Sequence, residues 1–180
     1  MRTRLALPLL LALILAPVAS ATACTRPARP VVVTVPGTSA RGVVATVSHV
    51  VDGDTVDLTL AGGATERARL LGIDTPETVK PDTPIECFGP EASGRTKALL
   101  PERTQVVVQR DQEARDRYGR LLVYLWRRDD GLFVNHDLAY GGFARALSIA
   151  PNTAHRTDLA AAVASAEAAG RGLWSACPPP

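Results

Sequence analysis

Three strand-like segments precede the first helical segment of this 180-residue chain, and that order most strongly limits its fold. The segments cover 43–51, 55–60 and 65–73 and are rich in β-branched or alternating apolar residues, as strands are. Turn signals separate them, first Asp52-Gly53-Asp54 and then Gly62-Gly63. The pattern therefore predicts an antiparallel meander whose second and third strands form a hairpin.

Two more strands and three helices are predicted after the meander. In chain order they are a helix over 90–100 with Pro90 in its first turn, strands over 105–109 and 121–126, a short helix that Asn135 caps and that ends at Gly141-Gly142, and an Ala-rich helix over 153–169 closed by Gly170. This set predicts a small β-rich α+β domain over 42–177. A five-stranded barrel of the oligonucleotide-binding (OB) type with about three helices fits the set, but the pattern alone does not separate it from other α+β folds.

The first 23 residues carry the marks of an export signal. Arg2 and Arg4 precede an apolar run over 5–19, which is shorter than the roughly 20 residues of a membrane span. Small residues follow through Ala23, so we predict a signal peptide over 1–23. Two kinds of processing fit: cleavage by ordinary signal peptidase, or lipidation of Cys24 in a lipoprotein-type signal that has Ala21 where a larger aliphatic residue is usual. We expect an exported protein, either secreted or anchored to the outer face of the cell membrane.

The segments that flank the predicted domain are rich in proline. Pro27, Pro30 and Pro36 lie in 24–41, which predicts an extended tether. Residues 178–180 are all proline and predict a short tail that does not pack.

Charge limits how this chain can bind a polyanion. The whole chain has 20 basic and 18 acidic residues, and removal of Arg2 and Arg4 with the signal peptide leaves 18 of each. Non-specific binding to phosphates depends on an excess of positive charge. A neutral domain that acts on nucleic acid must therefore do so locally, with carboxylates grouped around a cation.

Two carboxylates are placed to form such a group. Asp54 precedes the second predicted strand and Asp74 follows the third, so pairing through the Gly62-Gly63 hairpin brings both to one end of the sheet. Two carboxylates, a backbone carbonyl and waters suit a hard cation such as calcium. The sequence has no Cys/His cluster of the kind that binds zinc, and Asp57 stands where an EF-hand loop needs glycine.

Charged residues near these carboxylates complete a candidate site. Arg69 lies on the third strand, on the side of Asp74, and Glu77 follows behind Pro76. A second arginine, Arg120, ends a polar loop. A simple salt bridge would also explain an arginine beside two aspartates.

Four motifs in order resemble the thermonuclease (staphylococcal nuclease-like) family. They are Asp52-Gly53-Asp54-Thr55, the stretch RLLGIDTPET over 69–78, Gly89-Pro90-Glu91-Ala92, and Asp116-x-Tyr118-Gly119-Arg120. Shorter matches extend the similarity from about Val43 to Trp174.

This resemblance implies an OB-type barrel and a calcium-dependent phosphodiesterase that cuts DNA and RNA and leaves 3′-phosphate ends. It implies three kinds of site residue: calcium ligands, phosphate-clamping arginines and a carboxylate that activates or positions water. They are in turn Asp54, Asp74 and Thr75 (through its carbonyl), then Arg69 and Arg120, then Glu77. We expect a monomer whose substrate is single-stranded or denatured DNA and RNA.

The sequence departs from the family where nucleotides are held. Leu147 and Ile149 stand where the family often has aromatic residues. Tyr118 is kept and is expected to contact a phosphate or a base. Arg117 fits either a contact with a terminal phosphate or a solvated position on the loop. The alternative function is a non-catalytic nucleic-acid-binding module of the same fold, but relatives of that kind have lost the arginines and carboxylates that are present here.

Cysteines add one structural prediction. The chain has three, and exported proteins favour disulfides. If Cys24 is acylated, Cys87 and Cys177 remain as a pair; the alternative is two unrelated thiols. Neither belongs to the predicted site, so we expect this bridge to affect stability and to leave the chemistry largely intact.

Overall fold

The computed structural model describes residues 29–37, 41–79 and 84–178. The predicted signal peptide, Cys24 and the last two residues lie outside this part of the chain. The described elements are β1 (Val32–Thr34), β2 (Arg41–Asp52), β3 (Thr55–Thr59), β4 (Thr65–Leu70), β5 (Gly72–Asp74), α1 (Gly89–Leu99), β6 (Gln105–Gln109), β7 (Leu121–Arg127), α2 (Val134–Tyr140), β8 (Arg145–Leu147), α3 (Arg156–Ala168) and α4 (Leu173–Ala176).

Five strands pair in a closed ring. The predicted meander is present as antiparallel β2, β3 and β4. β4 then pairs in parallel with β7, β7 pairs with β6, and β6 returns to β2. Apolar side chains fill the inside, among them Val47, Val56, Leu58, Leu70, Val106 and Val123. The predicted β-rich α+β class is confirmed.

The third predicted strand is divided in two at Gly72. This residue has φ +80°, and a Cβ on it would collide with the side chain of Leu159. The turn redirects the chain, so β5 leaves the ring and pairs with β8, with Asp74 opposite Arg145. The prediction of one strand over 65–73 was therefore wrong at its end, and β8 was not predicted.

Asn135 does not cap α2. The helix begins at Val134 after Phe133, which gives no side-chain cap. Asn135 is fully buried. Its Oδ1 accepts a hydrogen bond from the backbone N–H of Leu125, and its Nδ2 donates to the carbonyl of Leu71. The side chain thus ties the chain after β4 to β7, and the predicted cap is corrected.

Part of the segment predicted as a tether packs on the sheet. Val32 to Thr34 pair antiparallel with the start of β2, and Val35 is fully buried. The packed part of the molecule therefore begins before Gly42, the start that the sequence analysis gave to the domain.

The structure joins Cys87 and Cys177 in a disulfide, with the Cα atoms 5.9 Å apart. The bridge connects the chain just before α1 to the chain just after α4.

The described residues form four helices, and α4, a single turn, was not predicted. No helix in the described ranges is both long and apolar enough to cross a membrane.

Candidate active site

The predicted site residues meet in one cleft of about 520 Å³ at the end of the ring. The turn after β2 supplies Asp54, β4 supplies Arg69, and the chain from the end of β5 supplies Asp74, Thr75 and Glu77. Tyr118 and Arg120 come from the loop before β7. All of these side chains line the cleft.

The tight turn between β2 and β3 is fixed to the chain after β5. A Cβ on Gly53 would lie 2.6 Å from Thr75 Oγ1, so only glycine fits there. The carbonyl of Gly53 accepts a hydrogen bond of 2.6 Å from Thr96 Oγ1 on α1. Asp52 is buried and accepts hydrogen bonds from Gly53 N and from the side chain of Thr78. These contacts set the position of Asp54, and the sequence analysis gave Asp52 no such role.

Arg69 lies between the two aspartates of the cleft. It is opposite Thr55 in the β3–β4 register, which brings its Nη1 into an ion pair with Asp54. Its Nη2 donates to Asp74 Oδ1 at 2.6 Å and to the carbonyl of Ile73 at 3.2 Å. Asp54 also accepts a hydrogen bond of 2.9 Å from the backbone N–H of Thr75. The guanidinium thus holds one carboxylate from the β2–β3 turn and one from the end of β5.

Burial changes the electrostatics of Arg69. Its side chain is 14% exposed, and this desolvation lowers the pKa of the guanidinium, although the charge of Asp74 acts in the opposite direction. The positive charge of Arg120 lowers the pKa further. Two guanidinium groups held this close repel each other, and a bound anion between them would relieve that repulsion.

Arg120 is held by its own loop. Its Nε donates to Asp116 Oδ2 at 2.6 Å, and its backbone N–H donates to Asp116 Oδ1 at 2.9 Å. The backbone N–H of Tyr118 also donates to Oδ1. Burial acts to raise the pKa of Asp116, but the hydrogen bonds from Arg120 and Tyr118 outweigh it, so the pKa is lowered. Within the described ranges, the two Nη atoms of Arg120 make no hydrogen bond, which leaves them available to an anion.

Asp116 orients a predicted site residue, Arg120, although the motif that contains it did not predict this contact. The sequence signal for this contact is the spacing, since Asp116 precedes Arg120 by four residues. In the structure, Gly119 allows the tight loop between them with φ +81°.

Tyr118 stands between two clefts. Its side chain is 68% exposed, and the guanidinium carbons of Arg117 and Arg120 lie 4.8 and 5.5 Å from its ring centroid. A second cleft of about 500 Å³ lies beside it and is also lined by Arg117, Leu147 and Ile149. The side chains that replace the family's aromatic residues thus form an apolar wall next to the arginines.

The carboxylate of Glu77 is oriented by the loop that follows it. Its Oε1 accepts hydrogen bonds from the backbone N–H groups of Thr78 at 3.0 Å and Val79 at 2.9 Å. The side chain lines the same cleft as both arginines.

The oxygen atoms of the cleft fit a hard cation. The residues that the structure describes contain no group of three or more His, Cys, Asp or Glu side chains that could hold a metal ion. The cleft is lined instead by Asp54, Asp74 and Thr75, and both carboxylates contact Arg69. Asp74 is 55% exposed, so water can complete a coordination shell, and Thr75 Oγ1 is buried without a hydrogen-bond partner among the described residues. Oxygen ligands with several waters match the preference of calcium.

The remaining predicted residues lie elsewhere. Arg117 lines the second cleft, and the disulfide-bonded Cys87 and Cys177 line neither cleft. Cys24 is outside the described residues.

Comparison with known proteins places this arrangement in a family. The model of the family described as "Staphylococcal nuclease homologue" matches residues 67–176. Thermonuclease of Staphylococcus intermedius is 40% identical over 137 residues, 76% of this chain and 79% of that protein. Thermonuclease of Staphylococcus hyicus is 38% identical over 129 residues, 72% of this chain and 74% of that protein. The SPbeta prophage-derived endonuclease YokF of Bacillus subtilis (strain 168) is 34% identical over 131 residues, 72% of this chain and 43% of that protein.

The family match spans more than half of the chain and includes the second part of β4, both arginines and the segment of Glu77. It confirms the predicted OB-type fold class, and it shows that the chain belongs to the staphylococcal nuclease family.

Proposed function

We propose that this protein is an exported, calcium-dependent nuclease that hydrolyses phosphodiester bonds of DNA and RNA and leaves 3′-phosphate ends. Its relatives include proteins named thermonuclease and endonuclease, which supports a nuclease phosphodiesterase. The observation that carries the proposal is the arrangement of the cleft, in which Arg69, Arg120 and Glu77 line one space together with the paired carboxylates.

The two arginines suit the charge that develops during hydrolysis. Attack on a phosphodiester adds negative charge to the phosphoryl oxygens that stay on phosphorus. A guanidinium is planar, remains charged and binds two oxygens at once, and charge-assisted hydrogen bonds of this kind are strong. Arg120 offers its Nη atoms, while Arg69, whose Nη atoms contact Asp54 and Asp74, supplies a fixed positive charge in the same cleft.

Glu77 is suited to hold the attacking water. Its carboxylate is oriented by two backbone N–H groups and lines the same cleft as both arginines, which supports a role as a base or a positioning group. The water oxygen bonds to phosphorus, Glu77 accepts a proton from that water, and the bond from phosphorus to the 5′ oxygen breaks. The 5′ oxygen leaves as a hydroxyl group after it gains a proton, and the phosphate stays on the 3′ side.

Calcium enters this proposal through the donor set of the cleft. Asp54, Asp74 and the carbonyl of Thr75 would hold the ion. When bound, calcium supplies positive charge and polarises a phosphoryl oxygen. Arg69 contacts both carboxylates, so a bound ion would share them with this guanidinium.

The second cleft is proposed to receive the nucleotide base. Leu147 and Ile149 offer an apolar wall, and the exposed ring of Tyr118 offers a face on which a base can stack. Stacking and apolar contact tolerate every base. We therefore expect little sequence preference and activity on single-stranded or denatured substrates. Arg117, which lines this cleft, is proposed to bind a terminal phosphate.

The decisive experiment is digestion of denatured DNA and of RNA by the mature protein, with calcium, with magnesium alone, and with a chelator. We expect cleavage with calcium, loss with the chelator, and little cleavage with magnesium, which demands a tight octahedron and keeps its waters. Equal rates with magnesium would contradict the calcium assignment. End-group analysis should find 3′-phosphates.

The Glu77→Gln variant tests the proposed role of the carboxylate while keeping the size of the side chain. We expect it to bind substrate while its turnover falls about a hundredfold or more. Binding of nucleic acid by the wild-type protein without any cleavage would instead support the non-catalytic binding module.

Export, processing and oligomeric state complete the proposal. We propose a monomer that is exported and then either released or anchored by a lipid on Cys24. Mass spectrometry of the protein from membrane and culture-medium fractions distinguishes the two routes, and light scattering checks the monomer.

A further inference from the structure

The backbone of Glu77 is held on both sides by Glu86. The carboxylate of Glu86 accepts a hydrogen bond of 3.1 Å from the backbone N–H of Glu77. In return, the backbone N–H of Glu86 donates to the carbonyl of Glu77 at 3.0 Å. The two hydrogen bonds close the loop between these residues at the peptide that carries the water-activating carboxylate.

The residues after Glu86 pack against the same peptide. Gly89 begins α1, and a Cβ on it would lie 2.7 Å from the side chain of Thr78 and 3.0 Å from the carbonyl of Glu77. Phe88 is in the left-handed region at φ +69°, which is unfavourable for a residue with a side chain and persists only where the surroundings enforce it. This turn carries the chain from Glu86 into α1 while both remain against Glu77.

The disulfide fixes this segment to the rest of the protein. Cys87 directly follows Glu86 and is bonded to Cys177 at the end of α4. That helix is itself anchored, since Leu173 is 2% exposed and its backbone N–H donates to the carbonyl of Gly142. Glu86 is therefore tied to the core from one side by α1 and from the other by the disulfide.

From these contacts we infer that Glu86 is a positioning residue for the nuclease reaction, acting through Glu77. The inference rests on the proposed role of Glu77 and goes beyond it. Glu86 does not line the cleft, so it orients the backbone from which the Glu77 side chain extends toward the water. The disulfide was predicted to affect stability alone. Under this inference it also supports Glu86, the residue that holds the backbone of Glu77.

A set of variants at position 86 tests this inference. Glu86→Ala removes the acceptor, Glu86→Asp keeps the charge but withdraws the acceptor from the Glu77 N–H, and Glu86→Gln keeps an acceptor oxygen without the charge. Glu91→Ala is the matched control, because Glu91 is an exposed carboxylate on the first turn of α1. Each variant is assayed on denatured DNA with calcium, below its own melting temperature.

We expect kcat of the Ala and Asp variants to fall about tenfold or more, because small displacements of a catalytic group are costly. KM should stay within about twofold, because the arginines and the base cleft are unchanged. Glu86→Gln should recover most of the lost kcat, and Glu91→Ala should match the wild type. Wild-type kcat in both Glu86→Ala and Glu86→Asp would overturn the inference, as would an equal loss in Glu86→Gln.

A second measurement separates this inference from the proposed function. Hydrogen exchange at the backbone amide of Glu77 reports the contact without any need for activity. We expect protection in the wild type and in Glu86→Gln, and fast exchange in Glu86→Ala. Fast exchange in the wild type would overturn the inference whether or not the protein cuts nucleic acid. Protection at Glu77, together with no cleavage by the wild type, would count against the proposed function alone.

Discussion

The two halves of the cleft hold their arginines in different ways. In the sheet half, Arg69 is 14% exposed and contacts Asp54 and Asp74 from two other segments of the chain. In the loop half, Arg120 is 31% exposed and is held by Asp116, four residues before it in the same loop. In the sheet half, the arginine proposed to bind an anion also joins segments of the fold, so anion binding and stability depend on the same contacts. In the loop half, the arginine is held by a contact within its own loop.

This difference has a physical cause. A guanidinium buried between strands needs partners that the fold itself supplies, because an unpaired buried charge is strongly destabilising. A partly exposed guanidinium is solvated by water, so one carboxylate is enough to orient it, and an ion pair of this kind adds little stability. Changes in the two halves should therefore affect activity alike and stability differently.

The largest effect on stability is expected outside both halves, at the disulfide. Cys87→Ser together with Cys177→Ser opens a bridge between residues 90 apart in the chain, and the chain-entropy model gives a loss of about 4 kcal/mol in the free energy of unfolding. Urea unfolding of the double variant measures it. A change below about 1 kcal/mol would contradict the chain-entropy estimate for this bridge.

Lysine substitutions compare the two halves directly. Arg69→Lys and Arg120→Lys should each lower turnover about a hundredfold or more, because lysine keeps the charge without the two-pronged geometry. Arg69→Lys should also lower the free energy of unfolding by about 1–3 kcal/mol, since one carboxylate loses its partner. Arg120→Lys should change it by less than about 0.5 kcal/mol. Equal stability losses, measured in urea, would contradict the distinction between the halves.

A buried side chain, Asn152, attaches the loop half to the rest of the protein. Its Oδ1 accepts a hydrogen bond of 2.8 Å from Glu113 N, and its Nδ2 donates to the carbonyl of Glu113 at 3.0 Å. Asn152→Ala leaves these backbone groups without partners, at a cost of about 1–3 kcal/mol. Turnover should fall by less than in Arg120→Lys, because Asp116 still orients the guanidinium. A loss of turnover as large as that of Arg120→Lys would show that the loop half is not local.

The smallest effect concerns pH and the start of α3, next to that attachment. Burial lowers the pKa of His155, while the charges of Asp158 and Asp111 oppose the shift. The unfolded chain therefore binds this proton more tightly than the folded protein does. The free energy of unfolding should be unaffected well above pH 6.5 and should decrease as the pH falls below 6.5 toward the lower folded value.

Urea unfolding as a function of pH measures this contribution. His155→Gln should lack it, whereas His49→Gln, at an exposed position, should keep it. If the free energy of unfolding of His155→Gln depends on pH as in the wild type, the acid sensitivity belongs to other groups.

Local patterns predicted most of the strands of the ring and the approach of Asp54 to Asp74, whereas the roles of the other site residues were predicted from the family resemblance. The strand over 105–109 matches β6 residue for residue, and the hairpin pairs Thr55 with Arg69, which brings the aspartates together as the sequence suggested. Both results depend on interactions between residues close in the sequence. Alternation, turn glycines and hairpin length determine such pairs.

What the sequence did not predict depends on contacts between distant segments. Gly72 reads as a strand residue until Leu159, far along the chain, occupies the space that a Cβ would need. Asn135 reads as a cap, but its amide bonds the backbone of Leu125 and Leu71. Glu86 belongs to no motif that predicts its contact, because its carboxylate accepts a hydrogen bond from a backbone N–H, that of Glu77. Side chains that join segments through backbone groups leave no periodic pattern in the sequence.

The short strand β1 covers an edge of β2 to which a strand of another molecule would otherwise be able to pair. It lies along the first residues of β2, where Val44 N donates to the carbonyl of Val31, and β3 begins to pair with β2 only at Thr46. Without β1, the start of β2 would present unpaired backbone groups, which recruit strands from other molecules. A chain shortened to begin at Arg41 should therefore form intermolecular β-sheet at high concentration, so we expect β1 to protect this strand edge against self-association.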